Sequence, residues 1–200
     1  SYDDFVQLHL DEKWIFEEYI EKFVKIEPNK SQLINFIDNI ISHTKKNLVI
    51  TTGQKTPKIL LEILPDLKDR KVRLLENLNF LELEEITWTT SLLISCHGAI
   101  SHVASANKVK QIDIIDTSYD YFKWTKHFRN YDYLIRDKFE NLSIKILKKL
   151  WNFLINLIIL KIYVLNLLRR LLKYVLKEII KLLLKQGLLG EKQNFFFIRR

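Results

Sequence analysis

Short apolar runs recur along the first two-thirds of this chain, each set off by turn residues and most followed by apolar positions at helical spacing. The runs are FVQLHL within residues 4–10, NLVIT at 47–51, VRLL at 72–75, SLLIS at 91–95 and QIDII at 111–115. They lack the strict polar alternation of a half-solvated antiparallel strand, so they read as strands covered on both faces. Helical spacing occupies residues 14–24, 31–44, 58–64, 78–88 and 100–107. In 31–44 it is carried by Leu33, Ile34, Ile37, Ile40 and Ile41, with Ser31 as the expected N-cap after the break at Pro28 and Asn29. Pro57 stands where the next helix begins. Residues 121–128 read as helical and 131–135 as a last short strand. A β-α unit repeated about five times predicts an α/β fold, a Rossmann-like, mainly parallel sheet with helices on both faces. Ligands of such sheets bind outside the carboxyl ends of the strands. That limits the candidate positions to 9–13, 51–55, 76–79, 96–102 and 116–118.

Two hundred residues with a 48% apolar fraction are enough for a substantial core. The single cysteine, Cys96, gives neither a disulfide framework nor a metal set, which fits a reducing compartment. No cleavable secretory signal is visible, and the absence of any methionine leads us to expect a fragment or a processed chain.

The stretch SLLISCHGAISHVASA at 91–106 is the most informative. Gly98 ends a strand and precedes a helix, so a ligand can approach the backbone there. The free N–H groups and partial positive charge of the helix start suit a phosphate or diphosphate. His102, one turn in, is within reach of the same ligand, and the small residues Ala99, Ala104, Ser105 and Ala106 let the helix pack close to the sheet. The plainer alternatives are a simple turn at Gly98 and a satisfied, half-buried His102. No G-x-G-x-x-G and no P-loop is present. Cys96 beside His97 does not make a nucleophile pair, because neighbouring side chains at a strand end diverge. His97, His102 and Asp116 match no standard metal spacing.

This stretch resembles the donor-site signature of glycosyltransferase family 9, the lipopolysaccharide heptosyltransferases and their relatives. That signature places a glycine and, shortly after it, His-Leu-Ala-Ala between a strand and a helix; here the matching text is Gly98, then His102-Val103-Ala104-Ser105. LHLDEKW at 8–14 resembles the strand-loop that opens the family's C-terminal domain, NLVITTG at 47–53 its next strand and glycine turn, and NLNFLELEEITWTTSLLIS the helix leading into the signature strand. The resemblance covers about residues 4–135. It departs from the family in two ways: three residues separate Gly98 from His102 where the signature has two, and Cys96-His97-Gly98 replaces Asp-Ser/Thr-Gly.

The resemblance implies the donor-binding half of a two-domain glycosyltransferase-B enzyme, whose N-terminal domain holds the acceptor site and the catalytic base. The residues it places at the donor diphosphate are Gly98, Ala99 and His102, with His97 beside them, Lys13 as the cation for the departing diphosphate, and Gly53 where the nucleotide approaches. Lys13 read by itself is equally a solvated helix-start lysine. The implied substrate is a nucleotide-diphosphate sugar, with no further cofactor and no metal. The implied acceptor is a cell-envelope glycan or a glycolipid.

The charge sits in the tail. Residues 141–200 hold 13 Lys/Arg and 2 Asp/Glu, whereas residues 1–140 hold 19 and 22. We therefore expect a Rossmann-like domain over 1–140 and a basic amphipathic helical extension over 141–200. Polar residues at 145, 149, 152, 156, 166, 170, 173, 177, 181 and 185 recur mostly every three or four positions, which reads as one polar stripe on a long helix stopped by Gly187. Residues 150–168 are close to the length of a membrane span, but Lys161 is costly near a bilayer centre. The stripe is expected to lie on an anionic membrane surface through 145–185, with packing on another protein and spanning as the alternatives. Phe195–Phe197 before Arg199 and Arg200 suits an interface anchor or a loose terminus. Nucleic acid is not an expected partner, because the basic residues are interspersed with aliphatics. The expected location is cytoplasmic, peripheral to the inner face of the membrane. The rival class is a non-catalytic Rossmann-like module that binds a nucleotide or protein and is tethered to a membrane.

Overall fold

A computed structural model of the chain describes residues 4–14, 26–117 and 120–186. Most of the helix expected over 14–24 lies outside these residues, as do Ser118, Gly187 and the phenylalanines at 195–197. Six strands form one sheet: β1 (Phe5–Leu10), β2 (Asn47–Thr52), β3 (Val72–Leu75), β4 (Leu92–Cys96), β5 (Gln111–Ile115) and β6 (Tyr131–Ile135). Their order is β3-β2-β1-β4-β5-β6, and every pairing is parallel. The helices are α1 (Lys30–Thr44), α2 (Lys58–Ile63), α3 (Phe80–Thr89), α4 (Ala99–Ala106), α5 (Tyr121–Thr125) and α6 (Phe139–Lys185). A short 3-10 turn, Leu64–Leu67, extends α2. The fold is α/β and Rossmann-like.

The two faces of the sheet differ. One carries Val6, Leu8, Ile50, Ile94, Ile112 and Ile114, and packs with Leu33, Phe36, Ile37 and Ile40 of α1 and Leu60 and Ile63 of α2. Phe139, Leu142, Ile146 and Leu150 of α6 join this core. Each such side chain contributes about 1.5–3 kcal/mol by leaving water. On the opposite face, register aligns Thr51, His9, Ser95 and Asp113 across four strands, all of them buried. The apolar cluster there is small: Leu93, Ile100, Ala104 and Val109, with Leu83 of α3 against it. The buried Ser101, Ala104 and Ser105 of α4 are short, which suits a helix laid over a polar sheet face.

Asn29, not Ser31, caps α1. Its Oδ1 accepts from Gln32 N at 2.9 Å, while Gln32 Oε1 accepts from Asn29 N at 2.8 Å. This reciprocal pair satisfies two end donors at once, and Ser31 donates to Asn29 Oδ1 instead. Asn79 and Glu82 form the same device at the start of α3.

The chain divides into two compact units, Ser1–Asn152 and Phe153–Arg200. Helix α6 is continuous over 47 residues. Its polar positions from Lys145 to Lys185, Lys161 apart, keep to one side of the helix. Asn156, Lys161 and Asn166 follow at intervals of five; each such step turns about 140° beyond a full turn, so Lys161 falls on the opposite side and Asn166 returns to within about 80° of Asn156. Residues 158–165 consequently expose aliphatic side chains all round the helix axis, among them Ile159, Leu160, Ile162, Val164 and Leu165. From Asn166 to Lys185 the intervals fall to three and four, and the stripe of 145–156 continues.

Candidate functional site

The sheet order sends the chain outward from β1 to β3 and then back across β1 to β4. The β1 and β4 ends therefore diverge at a topological switch point, where open α/β sheets hold their ligands. An open cavity of about 970 Å³ lies at these strand ends. It is lined by His9, Asp11, Glu12 and Lys13 at the end of β1, by Thr52–Ile59 after β2, and by Ala99 and Ile100 of α4. Leu78, Phe80 and Leu83 give it an apolar wall.

Asp11 organises the β1 end. Its carboxylate accepts from Lys13 N at 3.0 Å and from Lys13 Nζ at 2.8 Å, which folds the lysine back over the strand. Burial opposes the charge on Lys13, but Asp11 and Glu12 outweigh it and hold the ammonium above the ordinary lysine range. The lysine is thus a fixed cation. It sits against Gly98, the N-cap of α4, where a Cβ would lie 2.5 Å from Lys13 Nζ. Gly53 plays a similar part opposite, since a Cβ there would lie 2.9 Å from Glu12 Oε2. Arg136, just past β6, donates through Nη2 to the Lys13 carbonyl and through Nη1 to Cys96 Sγ at 3.6 Å. It bridges the ends of β1 and β4.

His9 is buried beside this group. Thr51 Oγ1 accepts from Gln7 Nε2 at 3.1 Å and lies 2.9 Å from His9 Nδ1. The Thr51 hydrogen is free to go to Nδ1, which puts the imidazole proton on Nε2, facing Asp11 at 3.8 Å. Burial holds His9 below the ordinary imidazole range, against the pull of Asp11. Burial likewise pushes the Cys96 thiol well up, so it is not a thiolate nucleophile.

Lys13, Gly53 and Ala99 line the cavity, and Gly98 abuts Lys13. His97 and His102 do not line it. His97 Nδ1 lies 2.5 Å from Asp113 Oδ2, and the fully buried Asp113 also accepts from Ser101 Oγ at 2.8 Å and Tyr131 OH at 3.2 Å. The His97 ring packs on Tyr121 and His102, and His102 on Phe128. Burial, with His97 and His127 nearby, holds His102 below the ordinary imidazole range. Among the described residues, no group of three His, Cys, Asp or Glu is placed to hold a metal ion.

Sequence reasoning did not single out Asp11, Arg136 or Asp113. A carboxylate directly after an apolar run and another inside QIDII were the available signals, because an ionised group is rarely buried without partners. Nothing local marks Arg136, which acts 123 residues from Lys13.

No protein-family model matches the chain, and no curated protein matches it by sequence. Its fold is found in UDP-GlcNAc 2-epimerase from Methanocaldococcus jannaschii. One structure of that protein, in complex with UDP-GlcNAc and UDP, aligns at a TM-score of 0.50 with 16% identity, over 72% of this chain and 38% of the epimerase. A second aligns at 0.51 with 18% identity, over 76% and 40%. The chain therefore spans about two-fifths of the length of the proteins it matches. At these identities the likeness establishes the fold.

Proposed function

We propose that the cavity at the ends of β1 and β2 binds the diphosphate of a nucleotide sugar. The domain would be the donor-binding half of a glycosyltransferase that passes the sugar to a cell-envelope glycan or lipid-linked acceptor. The observation that carries this is the Lys13 ammonium held against the N-cap of α4. A fixed cation and the positive end of a helix converge there on one wall of a strand-end cavity. Its volume is in the range of small-molecule sites. Lys55 and Lys58 add positive charge after β2, while Glu12 and Glu27 offer acceptors for ribose or sugar hydroxyls. As the bond between the anomeric carbon and the diphosphate oxygen breaks, Lys13 neutralises the leaving diphosphate. The fold is that of an epimerase solved with UDP-GlcNAc and UDP, which supports a nucleotide sugar as the ligand class. The acceptor site and base belong to a further domain, and the basic extension over 145–185 brings the assembly to an anionic membrane surface at its cytoplasmic face.

The place of His97 and His102 outside the cavity favours a second reading, a non-catalytic nucleotide-binding module. Calorimetric titration of the purified chain with ADP, UDP and GDP tests the first step. Saturable binding of one nucleotide, weakened at least 10-fold by Lys13→Ala and unchanged by Asn35→Ala, is the expected result. Absence of binding by a chain shown to be folded would refute the donor-site assignment.

A further inference from the structure

The segment YFKWTKHF at 121–128 turns an unusual amount of aromatic surface outward. Helix α5 turns its buried Thr125 inward, the hydroxyl donating to Tyr121 O one turn back at 2.8 Å. That orientation leaves Phe122 and Trp124 64% and 66% exposed. Phe122 meets Tyr133 of the edge strand β6 edge-to-face, with ring centroids 5.6 Å apart. Phe122 and Tyr133 thus join α5 to the sheet edge, while Trp124, two positions on, stands on the other flank of the helix with Lys123 between them. Single exposed apolar residues are ordinary, but three exposed rings on one short helix and the strand beside it point to a contact surface. Lys123, Lys126 and Arg129 are interleaved with these rings and exposed; Lys123 has an exposed pairing with Asp120 at 3.2 Å.

We propose that this patch is a second membrane-contacting surface, carried by the folded domain itself and seated on anionic lipid headgroups. Aromatic rings with a polar edge favour the headgroup level of a bilayer, and interleaved lysines and arginines favour anionic lipid. Aromatic and basic residues also mix in single-stranded nucleic-acid sites, but those sites track the strand along a groove. Here the rings stand on an outer helix turn and an edge strand, and they do not line the strand-end cavity. The proposal does not depend on what the strand-end cavity binds.

The test uses the full chain in a Trp88→Phe, Trp151→Phe background. This leaves Trp124 and the fully buried Trp14 as the fluorophores. The probe is a vesicle of phosphatidylethanolamine and phosphatidylglycerol with brominated acyl chains. The expected result is a blue shift and bromolipid quenching of Trp124, absent with phosphatidylcholine alone and reduced at least fivefold in affinity by Lys126→Glu with Arg129→Glu. Co-sedimentation with Trp124 unchanged would overturn the patch while leaving the C-terminal extension as the membrane contact. No co-sedimentation would overturn both. A Trp124 response to an oligothymidine strand but not to vesicles would overturn the patch in favour of nucleic acid.

Discussion

Replacing Gly98 by alanine separates the cation's role from the helix's role at the candidate site. The backbone at Gly98 is extended, with φ −178°, so alanine imposes no conformational strain. The added Cβ would fall 2.5 Å from Lys13 Nζ, about 1 Å inside normal contact. The ammonium is the free end of a flexible chain and yields, but it then loses its 2.8 Å alignment with Asp11 and its place beside the α4 N-terminus. A hydrogen bond to a charged group contributes about 1.5–3 kcal/mol. Loss of one such bond from Lys13 to the diphosphate lowers affinity roughly 10- to 150-fold, and the weakened bond to Asp11 lowers stability by up to about 3 kcal/mol. Lys13→Ala removes the same contact outright. It also strands the buried Asp11, so each variant is first shown to be folded by its thermal melt. The assay is a double-mutant cycle by calorimetry with the nucleotide that binds the parent chain. If Gly98 acts through Lys13, the double variant binds no more weakly than Lys13→Ala alone, and the coupling energy equals the Gly98→Ala loss. Simple additivity would show that the two residues meet the ligand separately. Unchanged affinity in Gly98→Ala would remove Lys13 from the diphosphate site.

Further outcomes follow from the rest of the domain. Asp113→Ala leaves His97, Ser101 and Tyr131 without their shared buried acceptor and is expected to cost about 3–5 kcal/mol in urea denaturation. Ile146→Ala, in the part of α6 that covers the sheet, is expected to cost about 2–5 kcal/mol by the same measurement. His9 and His102 are both held below their ordinary range, so the folded chain binds fewer protons than the unfolded chain below about pH 6.5. Stability therefore falls on acidification through that window, and His9→Gln should flatten the slope measured by melts at a series of pH values. Asn29→Ala should cost about 1 kcal/mol and Ser31→Ala less, because the capping oxygen is on Asn29.

The sheet was legible because its strands are short apolar runs ended by turn residues, and the parallel arrangement followed from helices spaced between them. What spacing alone does not print depends on geometry that intervals do not carry. Ser31 and Asn29 are both good caps by type, and the reciprocal bond with Gln32 decides between them. The polar positions of α6 share one side of the helix as their spacing implies, except Lys161, which a step of five turns about 140° away before the next step brings Asn166 back. At the candidate site, Lys13, Gly53 and Ala99 share a cavity because β1, β2 and β4 end at the same edge, which topology alone implies. His97 and His102 are near Gly98 in sequence, yet the buried carboxylate of Asp113, one strand over, draws His97 into an aromatic cluster. Register, which a single sequence does not print, controls that choice.

The Arg136 bond to the Lys13 carbonyl joins positions 123 residues apart. A ribosome adds about 5–20 residues each second, so the loop that holds Lys13 exists for roughly 6–25 s before its brace has been made. Through that interval the carboxyl end of the first strand has its local Asp11 bonds but not the guanidinium. A chain released before residue 136 would carry every glycine and lysine of the cavity and still lack the guanidinium that fixes one of them. The candidate site is thus among the last parts of the domain to take its final form during synthesis, although its first residues are among the earliest made.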